Sequence, residues 1–180
     1  NSNDWGVDTG LLEGFGLAFR LKEFKSPILQ RLIDFLNTPL FKSKLEEKFN
    51  ITEDNYVETA FQKYLHGYEI SPHPDIRKKA ATYMLNINTT DDSENAEIHT
   101  HLLKFKQDKE YIYDFWKSRK EMDRCWVPWN WCESVFETRA NNSIVLFAPD
   151  DDTLHAIKLD YDHLLFQRTQ IYGNLWYDQD

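Results

Sequence analysis

The sequence predicts a mainly β fold, a sandwich or barrel with helices packed on its outside. Two observations carry that expectation. Helical segments come early, and seven apolar stretches follow residue 68 at the spacing of antiparallel hairpins. Glycine and proline are sparse, at 6 each, and no repeat or low-complexity tract divides the 180 residues. The chain therefore reads as one domain, 1–180, with a helical N-terminal part over about 1–65 and a β core over about 66–177. A helical and aromatic insertion spans about 106–131.

In chain order, residues 12–20 (LEGFGLAFR) can form an early strand. A helix is expected over 26–37, with Ser26 as N-cap, Pro27 at the first helical position and an apolar face of Ile28, Leu29, Leu32, Ile33 and Leu36. A second helix over 39–49 keeps a similar period at Leu40, Phe41, Leu45 and Phe49. Strands are expected over 68–74, 80–88, 97–105, 132–139, 143–148, 153–159 and 164–177, with polar turns at Thr90 to Asn95 and Asp150 to Asp152. The insertion begins as a helix and ends as a loop carrying Trp126, Trp129 and Trp131.

Composition narrows the function. A net charge of -9 disfavours a nucleic-acid backbone as partner, since such binding relies on Lys and Arg neutralising phosphates. No apolar run approaches the roughly 20 residues that span a bilayer. Cys125 and Cys132 fit neither a redox CxxC nor a zinc knuckle and read as two buried thiols in a reducing cytoplasm. Sequons at Asn50, Asn88 and Asn141 stand without any other sign of secretion.

The stretch EISPHPDIRKKAATYMLNIN, residues 69–88, places His73 and Asp75 two apart before an apolar run. A core carboxylate needs a compensating charge. On a strand, residues i and i+2 share a face, so both side chains can reach one ion. A two-histidine, one-carboxylate iron site needs a third ligand from elsewhere and leaves positions open for substrate and oxygen. His155, mid-strand in DTLHAIKL, is the best candidate. A hairpin between the last two strands, turning at Asp160 to His163, would set His155 opposite Arg168. An inward arginine beside a metal ligand is costly unless it binds an anion, and its planar fork suits a carboxylate. The set describes a site for a dicarboxylate that chelates iron at one end and meets Arg168 at the other.

These residues resemble the iron(II)- and 2-oxoglutarate-dependent oxygenases, closest to small phage-type and prolyl-hydroxylase-like members. The resemblance lies in His73-Pro74-Asp75, the distal His155, Arg168 thirteen residues on, and the block NNSIVLFAPDDDTLHAIK; it covers about 66–177. It implies a double-stranded β-helix, a jelly roll or cupin-like barrel with the metal inside. It also implies iron(II) on His73, Asp75 and His155, and 2-oxoglutarate on Arg168. Oxygen is then the second co-substrate, and ascorbate an auxiliary reductant. The family's Arg-x-Ser reads Arg168-Thr169-Gln170 here, so an amide takes the place of the hydroxyl. Tyr83 and Asn86 are further contacts by position, although strand parity puts them on opposite faces. The substrate implied is a protein or peptide side chain such as prolyl, with a small metabolite close behind; the oligomeric state is not implied.

Two other readings compete. Glu97, His99 and His101 alternate as in half of a cupin-type metal site, or else lie on a solvated strand face with Ile98 and Leu102 inward. A barrel that only binds partners would be expected to have lost one of its four buried polar residues, and all four are present. The three tryptophans serve either packing or substrate selection.

Overall fold

The computed structural model describes residues 5–7, 14–122 and 126–178. Cys125 and the first residues of the early strand lie outside this range; Cys132 is buried. The elements are β1 (Trp5–Val7), β2 (Ala18–Leu21), α1 (Pro27–Leu36), α2 (Pro39–Phe49), β3 (Asn55–Tyr64), β4 (Glu69–His73), β5 (Lys79–Asn86), β6 (His101–Phe105), α3 (Tyr111–Ser118), β7 (Cys132–Glu137), β8 (Ser143–Phe147), β9 (Leu154–Lys158) and β10 (Arg168–Tyr177). The strands form two antiparallel sheets, a six-stranded one in the order β1-β2-β3-β10-β5-β8 and a four-stranded one in the order β4-β9-β6-β7. This is the mainly β jelly roll expected, with its two sheets open at the edges rather than closed into a barrel.

The two N-terminal helices start as the sequence dictates. Ser26 Oγ accepts from Leu29 N at 3.4 Å and Thr38 Oγ1 accepts from Phe41 N at 3.2 Å, with a proline at the start of each helix. Their inward residues Ile33, Leu36 and Leu45 join Ala81, Tyr83, Ile171 and Leu175 in one buried cluster behind the six-stranded sheet. Burying Ile171 and Leu175 there contributes roughly 1.5–3 kcal/mol each. Gly173 is required at this spot, because a Cβ on it would lie 2.1 Å from Tyr83 Cζ. Among the described residues no helix is long and apolar enough to cross a membrane.

Two expectations are corrected. Residues 55–64, assigned above to the helical part, form the long strand β3, held between β2 and β10. The last two strands are not a hairpin. β9 pairs with β4 and β6, whereas β10 pairs with β3 and β5, so the 159–167 connection crosses from one sheet to the other. Leu159 N bonds to Tyr68 O at 2.9 Å, which keeps the end of β9 beside β4, and the buried Tyr161 pins the crossing through its hydroxyl on Tyr64 O.

The insertion packs on the outside of the four-stranded sheet, where Val127, Cys132, Leu103, Phe105 and Leu154 form a cluster with Trp129 and Trp131. Arg77 ties it to the loop after β4: Nε donates to Met122 O at 3.1 Å and Nη2 to Trp116 O at 3.2 Å, while Nη1 pairs with Asp151.

Candidate metal centre

His73 and His155 face each other across the β4–β9 ladder, their rings 4.4 Å apart. Asp75 does not lie on the strand. β4 ends at His73, and the loop through the buried Pro74 swings the carboxylate back toward the histidines. Nitrogen and oxygen atoms of His73, Asp75 and His155 fall within 4.8 Å of one another, the only such cluster among the described residues. His73 Nδ1 lies 2.8 Å from Ser71 O, which places a proton on Nδ1 and makes Nε2 the nitrogen that can ligate an ion. His155 Nε2 is 3.7 Å from Asp75 Oδ1.

The carboxylate is held from both sides. Lys79 Nζ donates to Oδ1 at 2.5 Å and Thr82 Oγ1 to Oδ2 at 3.1 Å. Burial alone would raise the Asp75 pKa, but the charges of His155 and Lys79 and the Lys79 hydrogen bond outweigh it and hold it at about 2. Lys79 is itself buried, with its pKa raised: burial works against its charge, and Tyr172 and Asp75 more than offset that. Sequence reasoning missed Lys79 because strand parity aims it the other way. A bulge sets Trp176 opposite Lys79 while Leu175 stays opposite Ala81, and this turns Lys79 onto the face of Thr82.

Arg168 lies at the other end of the same pocket, whose volume is about 700 Å³ including its open mouth. The side chain is buried, its guanidinium 4.4 Å from the centre of the Tyr64 ring. Nε donates to Ile98 O at 2.7 Å and Nη2 to Thr100 Oγ1 at 3.1 Å, while Nη1 has no hydrogen-bond partner among the described residues. Thr100 was another omission. Residues 98–100 are irregular and buried rather than a solvated strand face, and His99 bonds to Glu94 O at 3.2 Å, its pKa lowered by burial and by Arg139.

Gln170 lines the pocket one pleat beyond Arg168, its Nε2 donating to Asn86 Oδ1 at 3.1 Å. Asn86 shares that face, but its Nδ2 is spent on Thr138 O at 2.6 Å and it supports Gln170 rather than lining the pocket. Tyr83 points the opposite way, into the helix-side cluster, where it bonds Thr59 at 2.5 Å; it makes no contact with the pocket. Two aromatic rings flank the histidines, Trp126 at 4.6 Å from His73 and Phe147 at 5.4 Å from His155. Trp129 is a packing residue, donating through Nε1 to Glu69 Oε1 at 2.9 Å.

No family model and no curated protein matches the sequence. Among solved structures, the chain is similar to a prolyl-4-hydroxylase from Pseudomonas putida, with a TM-score of 0.59 and 10% identity over 96% of this chain and 78% of that one. The likeness is one of fold.

Proposed function

We propose that the protein is an iron(II)- and 2-oxoglutarate-dependent oxygenase that hydroxylates a C–H bond of a further substrate. The observation that carries this reading is the pairing, in one pocket, of a His-Asp-His cluster with a buried arginine whose Nη1 has no hydrogen-bond partner among the described residues. The donor set fits iron(II): two imidazoles, which ligate in their neutral form, and one carboxylate, with room on the pocket side for further ligands. The arginine fits a carboxylate, since an orphaned buried donor costs about 1–3 kcal/mol unless an acceptor meets it.

In this reading His73, Asp75 and His155 hold the metal. Arg168 receives the far carboxylate of 2-oxoglutarate through Nη1, and Thr100 and Ile98 lock the guanidinium so that the fork cannot swing away. Gln170 stands where an amide N–H can add to that grip. The bound iron supplies the oxidation, in which oxygen and 2-oxoglutarate give succinate, carbon dioxide and a hydroxylated substrate. Trp126 and Phe147 stand against the two histidines and give them an apolar surround. That aromatic surround suits a neutral, C–H-rich group such as a prolyl ring of a peptide, with a small metabolite as the second choice.

The test is succinate release from 2-oxoglutarate by the iron(II)-loaded protein, alone and against peptide and metabolite pools. Turnover that disappears in His73→Ala is expected. Trp126→Ala should lower substrate-stimulated turnover about tenfold while sparing the unstimulated reaction. A loaded protein that neither binds nor consumes 2-oxoglutarate would refute the proposal.

A further inference from the structure

The Asp75 oxygen that faces His155 is the one that Lys79 holds. Oδ1 lies 3.7 Å from His155 Nε2 and 2.5 Å from Lys79 Nζ, whereas Oδ2 is engaged by Thr82 Oγ1 at 3.1 Å. We propose that Lys79 is a resident counter-cation of the metal site. It shares Oδ1 with the ion, limits Asp75 to ligation through one oxygen, and sets the affinity for a divalent metal below that of the three ligands alone. This inference rests on the metal-site reading given above.

Nothing lets the ammonium retreat. Its side chain is 6% exposed, Tyr172 Oη lies 3.1 Å from Nζ, and the rings of Tyr172 and Trp176 stand at 5.5 and 5.3 Å. The bulge that aims Lys79 inward is a backbone feature. A carboxylate oxygen has lone pairs for both a hydrogen bond and a metal. Two cations on one oxygen nevertheless repel, and at that range the repulsion survives the effective dielectric of a protein interior. Thr82 Oγ1 lies 3.1 Å from Asp75 Oδ2 and 2.9 Å from Asn174 Oδ1, which fixes the carboxylate plane with Oδ1 as the oxygen turned to His155. One-oxygen ligation leaves coordination positions for co-substrate and oxygen. Lys79 thus acts through Asp75, as a positioning residue whose charge also weakens the metal.

A role confined to holding the fold together predicts that neutralising Lys79 leaves metal affinity unchanged or lower. The proposal predicts the opposite sign. Mn²⁺, which does not turn over, is titrated by calorimetry into the whole protein and its variants, and melting temperatures are read with and without it. Lys79→Met is expected to bind Mn²⁺ about tenfold or more tightly than the parent. Its melting temperature should fall without Mn²⁺ and rise more steeply with it. Lys79→Arg, which keeps the charge, should stay near the parent, and Thr82→Val should bind several-fold more weakly. Should Lys79→Met fold only with metal, the same quantity is read from Lys79→Gln, which keeps a donor without the charge. Unchanged or weaker Mn²⁺ binding in the neutral variant overturns the proposal. A parent that binds no Mn²⁺ refutes the metal site itself, so the two failures are told apart.

Discussion

At the metal end of the pocket, each oxygen of Asp75 has a protein partner, Lys79 on Oδ1 and Thr82 on Oδ2. At the far end, Arg168 spends Nε and Nη2 on Ile98 and Thr100 and leaves Nη1 without a hydrogen-bond partner among the described residues. Both groups are buried, yet their situations differ in kind. A carboxylate oxygen with one hydrogen bond keeps lone pairs for a metal, so Asp75 can be satisfied by the fold and still be a ligand. An N–H has one bond to give, so an orphaned one can be satisfied only by an acceptor from outside the fold. The acidic end is therefore satisfied within the fold, and the basic end keeps a donor that an incoming acceptor can meet.

The largest effect expected tests the first half of that contrast. His73→Ala and Asp75→Ala should each weaken Mn²⁺ binding by about a hundredfold or more, since each removes a third of the donor set. They should differ in stability. Asp75→Ala strands Lys79 as a buried cation and is expected to cost about 3–5 kcal/mol in urea unfolding, whereas His73→Ala leaves no charge unpaired. Equal stability in the two variants would mean that Lys79 does not depend on Asp75.

A smaller effect should be confined to the back of the sheet. Burial pushes the Tyr83 hydroxyl up to about 12, with the Thr59 hydrogen bond pulling the other way. A tyrosine raised above its ordinary value of 10.0 contributes stability that is complete below pH 10 and lost as pH climbs toward 12. Tyr83→Phe should abolish that alkaline loss, of roughly 2–3 kcal/mol, and leave both metal and 2-oxoglutarate binding untouched. Weaker co-substrate binding in Tyr83→Phe would show that the two faces of the sheet are not independent.

Most of the charged residues gathered in the pocket were legible in the sequence, because a buried charge has few reasons to exist. His73, Asp75, His155 and Arg168 stood out as residues that an apolar core would not choose. The reading set His155 opposite Arg168 for the wrong reason, as hairpin neighbours. The two strands belong to facing sheets, and the residues meet across the pocket rather than along a ladder. β3 was illegible because it is central but polar, with Glu58, Gln62 and Lys63 interrupting any alternation. Lys79 was hidden by a one-residue bulge that no periodicity reveals. Thr100 was hidden by an irregular segment read as strand. Gln170 followed from its place two residues after Arg168, and parity set Tyr83 and Asn86 on opposite faces without saying which one faces the pocket. What pattern alone could not supply was pairing: which strand lies beside which, and where the register slips.

The measurement closest to the central claim is a paired titration of Arg168→Ala, with 2-oxoglutarate and with Mn²⁺. A charge-assisted carboxylate contact contributes about 1.5–3 kcal/mol, so 2-oxoglutarate should bind tenfold to several hundredfold more weakly. Mn²⁺ affinity should stay at the parent value, because Arg168 serves the far end of the pocket. Arg168→Lys should recover part of the loss as a point charge without the fork. Undiminished 2-oxoglutarate binding by Arg168→Ala would contradict the account, because the orphaned Nη1 would then have no part in holding the co-substrate.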